Sequence, residues 1–105
     1  MNEFSDSDHQ FMALAMEEAE RAASLGEVPV GAVVVLDGEI IARECNRQIT
    51  LNDPSAHAEV LALRKAGQML DNYRLPDCEL FVTLEPCTMC CGTLVHARVK
   101  RLVFA

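Results

Sequence analysis

No stretch of the 105-residue chain approaches eighteen consecutive apolar residues, which excludes a membrane-spanning helix as its organising element. The N-terminus carries Glu3, Asp6 and Asp8 where a secretory leader would carry positive charge, so a cytoplasmic protein is expected. Internal repeats, linkers and low-complexity segments are all missing. Half of the residues are hydrophobic (50%), so the composition is not that of a disordered chain and fits one domain with one core over residues 1–105. A disulfide framework is also disfavoured. Cys45, Cys78, Cys87, Cys90 and Cys91 are odd in number with three bunched together, which suits thiolate chemistry in a reducing compartment. Cys45 and Cys78 read as small buried hydrophobes.

Positive charge is scarce: nine Lys and Arg stand against 16 Asp and Glu, a net charge of −7. The deficit is local. Residues 1–27 hold seven acids against Arg21 alone, and the remainder holds nine acids and eight bases. The body of the chain is therefore near neutral, and a nucleic-acid partner is not excluded. Arg98, Lys100 and Arg101, followed by Arg64 and Lys65, form the basic groups toward which RNA is expected to turn.

Hydrophobic periodicity supplies the elements. Ser7 or Asp8 is placed to cap a helix running to about Leu25, with Phe11, Leu14, Ala15, Ala22 and Leu25 on one stripe and Gly26 ending it. Ala32 to Leu36 is a short β-branched apolar run, and Asp37-Gly38 joins it to Glu39–Arg43 as a hairpin. Residues 46–53 read as polar loop, and Asp53-Pro54-Ser55 as the entry to a helix that stops near Gly67. Leu80 to Leu84, a helix from Pro86 to about Ala97, and Arg101 to Phe104 form a strand–helix–strand crossover, which predicts two parallel strands. The expected class is α/β: a three-layer α-β-α arrangement whose mixed sheet starts with an antiparallel hairpin and continues with parallel strands.

Chemistry concentrates in two short segments, His57-Ala58-Glu59 and, thirty residues later, Pro86-Cys87-Thr88-Met89-Cys90. One histidine and one C-x-x-C supply three metal ligands. A structural zinc site normally closes with four protein ligands, whereas a catalytic one keeps three and leaves a position for water. A redox C-x-x-C is the competing reading of the cysteines, but it has no use for His57 or Glu59. Cys91 stands i, i+4 from Cys87 and leaves a second ligand pairing open. The strand-to-helix setting is expected to favour thiolates at Cys87 and Cys90. One geometric difficulty is visible: residues two apart on a regular helix point roughly 200° from each other, so His57 and Glu59 share a site only if the helix begins close to His57.

The H-x-E…P-C-x-x-C pattern is the signature of zinc nucleobase deaminases. With Glu27–Ala32, Asn46-Arg47, Asp53–Val60, Asn72–Leu75 and Leu84–Gly92 in order, the chain resembles the bacterial tRNA-specific adenosine deaminases of the cytidine/deoxycytidylate deaminase superfamily. The resemblance covers nearly the whole chain and the first two thirds of such proteins, so the C-terminal strand and helices of that family are expected to be lacking. It implies one Zn²⁺ held by His57, Cys87 and Cys90, with Cys91 as a core contact. Glu59 is implied as the proton carrier. Asn46, Val28, Ala58, Leu84 and Glu85 are implied to contact the base, with the backbone N–H of Ala58 or Cys87 helping to hold it.

The implied activity is hydrolytic deamination of adenosine to inosine at the wobble position, on a tRNA anticodon loop, by a homodimer. No DNA or membrane partner is expected. RNA binding by this chain is expected to be weak and strongly salt-dependent. The alternatives are a free-base deaminase acting on guanine or cytosine, and a zinc-binding remnant without activity. His9 and His96 are expected to have no chemical role.

Overall fold

A computed structural model describes residues 4–105; Glu3, counted above among the N-terminal acids, lies outside them. Helix α1 (Asp6–Ser24) begins at Ser5, two or three residues before the expected cap. Asp8 is instead the third helical residue: the Ser5 hydroxyl accepts from the Asp8 N–H at 3.1 Å, and the Asp8 carboxylate accepts from the Ser5 N–H at 3.1 Å. The helix ends at Leu25, which is 47% exposed and leaves the apolar stripe, and Gly26 follows with φ +77°.

Strands β1 (Gly31–Leu36) and β2 (Glu39–Cys45) form the expected hairpin. Asp37 and Gly38 both have positive φ, 51° and 80°, the backbone of the tight turn whose twist matches paired strands. Val34 pairs with Ala42 and Val35 with Ile40, so Ile41 is an extra residue that bulges β2. A short helix, α2 (Gln48–Leu51), occupies part of the segment read as loop. Helix α3 (Ala58–Leu70) starts later than Asp53-Pro54-Ser55 indicated and passes Gly67, whose carbonyl accepts from the Asn72 N–H and so closes the helix without ending it. Strand β3 (Cys78–Val82), helix α4 (Thr88–Ala97) and strand β4 (Arg101–Phe104) complete the crossover.

The sheet order is β2-β1-β3-β4, with β1 antiparallel to both neighbours and β3 parallel to β4. The apolar run of β1 is buried on both faces because helices cover both. Val33, Val35, Phe81 and Val103 meet Phe11, Met12, Leu14 and Ala15 of α1; Ala32, Val34, Leu80 and Val82 meet Ala58, Ala62 and Leu63 of α3 and Leu94 and Ala97 of α4. Wholly buried Val33, Val34 and Phe81 each contribute roughly 1.5–3 kcal/mol of transfer free energy. At Gly31 the α1 backbone approaches so closely that a Cβ would lie 2.0 Å from the Ala15 carbonyl oxygen and 2.5 Å from the Ala19 nitrogen. No helix among the described residues is long and apolar enough to cross a membrane.

One ion pair ties the two ends of the chain together. Arg101 donates to both Asp8 oxygens at 2.8 Å and to Glu79 at 2.9 Å. The Arg101 hydrogen bonds outweigh burial and bring the Asp8 carboxyl down to about 2. A depressed carboxyl contributes stability above its unfolded value near 4 and loses it as the pH falls toward 2. Arg101 is 38% exposed, so solvent screening trims the contribution to roughly 1–2 kcal/mol. Arg101→Ala is therefore expected to destabilise by about that amount at pH 7 and by progressively less between pH 4 and pH 2. Urea unfolding across that range checks it; a deficit that stays constant with pH would mean that packing, not charge, is what Arg101 supplies.

Candidate metal and proton-transfer site

The two chemical segments meet because α3 and α4 begin at the same place. His57 is the N-cap of α3 with φ −72° and ψ 151°, outside the helical range, so the 200° separation of an i, i+2 pair does not apply to it. Its ring is thereby free to turn toward α4, while Glu59 sits in the first turn of α3 and is 4% exposed. Cys87 is the N-cap of α4, and Cys90 is its third helical residue.

Three ligand atoms converge. His57 Nδ1 lies 3.6 Å from Cys87 Sγ and 3.4 Å from Cys90 Sγ, and the two sulfurs are 3.6 Å apart. Tetrahedral coordination with Zn–S near 2.3 Å and Zn–N near 2.05 Å requires S···S of about 3.8 Å and S···N of about 3.6 Å, so these residues fit zinc with little movement. Among the described residues this is the His/Cys/Asp/Glu group close enough to hold a metal. Cys91 is outside it. Its side chain is exposed and its thiol donates to the Pro86 carbonyl at 3.6 Å, so Cys91 is neither a ligand partner nor the core contact expected.

The thiols differ. The backbone N–H of Cys90, together with the Cys90 side chain and the Met89 N–H, lowers the Cys87 pKa despite burial and the opposing charge of Glu59. Cys90 goes the other way from the expectation: burial first, then the Glu59 carboxylate, push its thiol up. Without metal, the helix N-terminus therefore favours thiolate at exposed Cys87, whereas a bound zinc would favour it at both. The same interaction places Glu59 beside Cys90 and so at the edge of the ligand triad.

Asn46 is 5% exposed, and its Oδ1 accepts from the Ala58 N–H at 2.8 Å. That amide is thus already engaged, and Asn46 is held against Ala58 at the start of α3, one residue from both His57 and Glu59. Val28 and Leu84 are 57% and 56% exposed and Glu85 is exposed, so all three are open to solvent. A cavity of about 750 Å³ lies elsewhere, along α3 and α4 between Val60, Gly67, Tyr73 and His96. His96, expected to have no chemistry, is part of that wall. Convergence of possible ligand atoms, not cavity size, marks His57, Cys87 and Cys90, with Glu59 beside them, as the candidate site.

Two features escaped the sequence reading. The basic groups are largely spent: Arg101 pairs with Asp8 and Glu79, Arg64 with Asp53, and Lys65 with Glu44, leaving Arg98 and Lys100 exposed. Glu27, given no role of its own from sequence, is 7% exposed and accepts from the Ile49 and Thr50 amides and the Thr50 hydroxyl. Its signal was available in principle, since a polar segment that turns helical presents N–H groups needing an acceptor.

Helices on both faces of a mixed sheet, with a His/Cys/Cys triad and a buried glutamate where two of those helices begin, define an α/β scaffold with a candidate metal site. The chain belongs to the cytidine and deoxycytidylate deaminase zinc-binding region family, which it matches over residues 5–105. It is 52% identical over 101 residues to the tRNA-specific adenosine deaminase of Haemophilus influenzae, covering 95% of this chain and 58% of that protein. A solved structure from work on A-to-I editing by tRNA:A34 deaminases at the wobble position superimposes with a TM-score of 0.91 at 50% identity, over 92% of this chain and 70% of that one. Guanine deaminase from Bacillus subtilis superimposes with a TM-score of 0.90 at 43% identity, over 100% of this chain and 64% of that one. The chain thus spans little more than half the length of the Haemophilus relative.

Proposed function

We propose that residues 1–105 form a single zinc-dependent deaminase domain that converts adenosine to inosine at the wobble position of tRNA, in the cytoplasm and as a homodimer. The observation that carries this reading is the His57, Cys87 and Cys90 triad at tetrahedral spacing with Glu59 against it. The likeness to the Haemophilus enzyme supplies the substrate class.

When bound, zinc supplies Lewis-acid activation of water. Glu59 takes a proton from the attacking water as the C–O bond forms at the ring carbon bearing the amino group. It delivers that proton to the adjacent ring nitrogen, and a second proton, from the added hydroxyl, to the departing nitrogen. The C–N bond breaks, ammonia leaves and a carbonyl remains, with no net change at Glu59. Asn46, locked through its oxygen to the Ala58 amide, keeps its NH₂ group for the purine. Val28, Leu84 and Glu85 bound the opening through which an unstacked nucleotide enters. The Ala58 amide acts on the base through Asn46. A homodimer would cover part of the exposed apolar surface, which includes Met69, Tyr73, Val95 and Phe104.

The test is zinc stoichiometry together with inosine formation on an adenosine-containing anticodon stem-loop. Near-stoichiometric metal and inosine are expected; metal with no product from RNA but ammonia from free guanine would establish the second reading, which the 43% identical guanine deaminase favours. Because Arg64, Lys65 and Arg101 are in ion pairs, few cations remain for phosphate. Arg74 over the Tyr73 ring, Arg98 and Lys100 would give a log K against log salt slope of only about −2. RNA titration at several salt concentrations checks this revision of the steep dependence expected from sequence; a slope beyond about −4 would mean that the paired arginines open on binding.

A further inference from the structure

We propose that Glu27 is a positioning residue for the substrate mouth, acting by clamping α2 so that Asn46 keeps its place against the Ala58 amide. The inference rests on the deaminase reading for its kinetic half and on geometry alone for the rest.

Glu27 lies in the link between α1 and β1, next to exposed Val28. Its carboxylate accepts at 3.2 Å from the Ile49 N–H, at 2.7 Å from the Thr50 N–H and at 2.7 Å from the Thr50 hydroxyl. These amides belong to a four-residue helix that buries none of its own side chains, and Ile49 is 71% exposed. Leu51 is only partly covered, at 42% exposed, and Gln48 reaches the Pro54 carbonyl at 2.7 Å, while the buried Glu27 carboxylate takes both the Ile49 and the Thr50 amides. Arg47 joins α2 to Asn46, and its N–H donates to the Ala56 carbonyl at 3.0 Å, so the segment that Glu27 clamps runs directly between Asn46 and the approach to α3. Burial opposes the charge on Glu27, and the Thr50 hydroxyl with the Thr50 and Ile49 amides overcomes it, so the group is an anion when it does this. A glutamine has the same length but only one acceptor atom. Its NH₂ would confront a second donor where Glu27 now accepts.

The experiment compares Glu27→Gln and Thr50→Val with wild type by amide hydrogen exchange, metal content and steady-state deamination of the stem-loop. In Glu27→Gln, exchange is expected to rise at Ile49 and Thr50 and, through Asn46, at Ala58. Metal content is expected to be unchanged, with KM raised about tenfold and kcat within about twofold, because loss of placement weakens uniform binding more than the chemical step. Thr50→Val removes one hydroxyl and leaves both amides, so its effects are expected in the same direction and smaller. Should Glu27→Gln fail to fold, Thr50→Val alone decides through the same readouts.

Faster exchange at residues 49 and 50 with Ala58 unchanged would overturn the proposal. So would a fall in kcat at constant KM, the mark of a smaller folded fraction. A wild-type protein that makes no inosine fails the deaminase reading alone, since the Ala58 amide still reports whether Glu27 holds Asn46.

Discussion

Glu59→Gln is expected to bind zinc at the wild-type level, keep its fold, and lose deamination by at least ~10²–10⁴-fold, the range for a positioned proton-transfer group. The substitution preserves size and one acceptor and removes the ability to accept and return a proton. Glu59 lies in the first turn of α3, on a helix anchored by Ala58, Ala62 and Ala66 in the core, so its backbone position does not depend on its charge. In the proposed mechanism two protons in turn are taken up and returned by this one group, which argues for a loss toward the upper end. Metal analysis and inosine assay on the same preparation make the check. Turnover within tenfold of wild type would show that another base works at this site.

The second large effect is metal loss. His57→Ala, Cys87→Ala and Cys90→Ala are each expected to abolish stoichiometric zinc and to lower the melting temperature, because ligand binding free energy is also folding free energy. The three ligand atoms lie within 3.4–3.6 Å of one another, so removing any one breaks the set. Cys91→Ala is the control and is expected to retain both metal and melting temperature, since its exposed thiol reaches only the Pro86 carbonyl. Zinc loss in Cys91→Ala with retention in Cys90→Ala would reverse the ligand assignment.

The hairpin and the crossover were legible because their signals are local: a two-residue turn with positive φ, β-branched runs, and a strand followed within a few residues by a helix. The ligand triad was legible because C-x-x-C at a helix start and a histidine two residues from a glutamate have few other uses. What could not be read depended on partners distant in the chain. Asp8 is 93 residues from Arg101, and without that pairing Arg101 looked like free positive charge. The α2 helix has no apolar periodicity at four residues and forms against a carboxylate 22 residues away. The start of α3 was misplaced because Pro54 suggests a first helical turn, whereas Asp53 spends its carboxylate on the Ser55 amide and hydroxyl in a separate turn. The upward push on the Cys90 thiol of the metal-free chain was not visible because helix position can be read in sequence and burial cannot.

The contact between Gly31 and α1 also makes the first helix a lever. Small residues, Ala15, Ala19 and Ala22, line the part of α1 near the fulcrum, where backbone meets backbone, and larger ones, Phe11 and Met12, fill the gap farther along. Thickening the fulcrum would pry the short arm away from the sheet. The short arm ends at Leu25. A single methyl group added at Gly31 would meet helix backbone, not a yielding side chain, on the face of the sheet away from His57 and Glu59, so this position bears on how α1 seats and leaves the candidate site untouched.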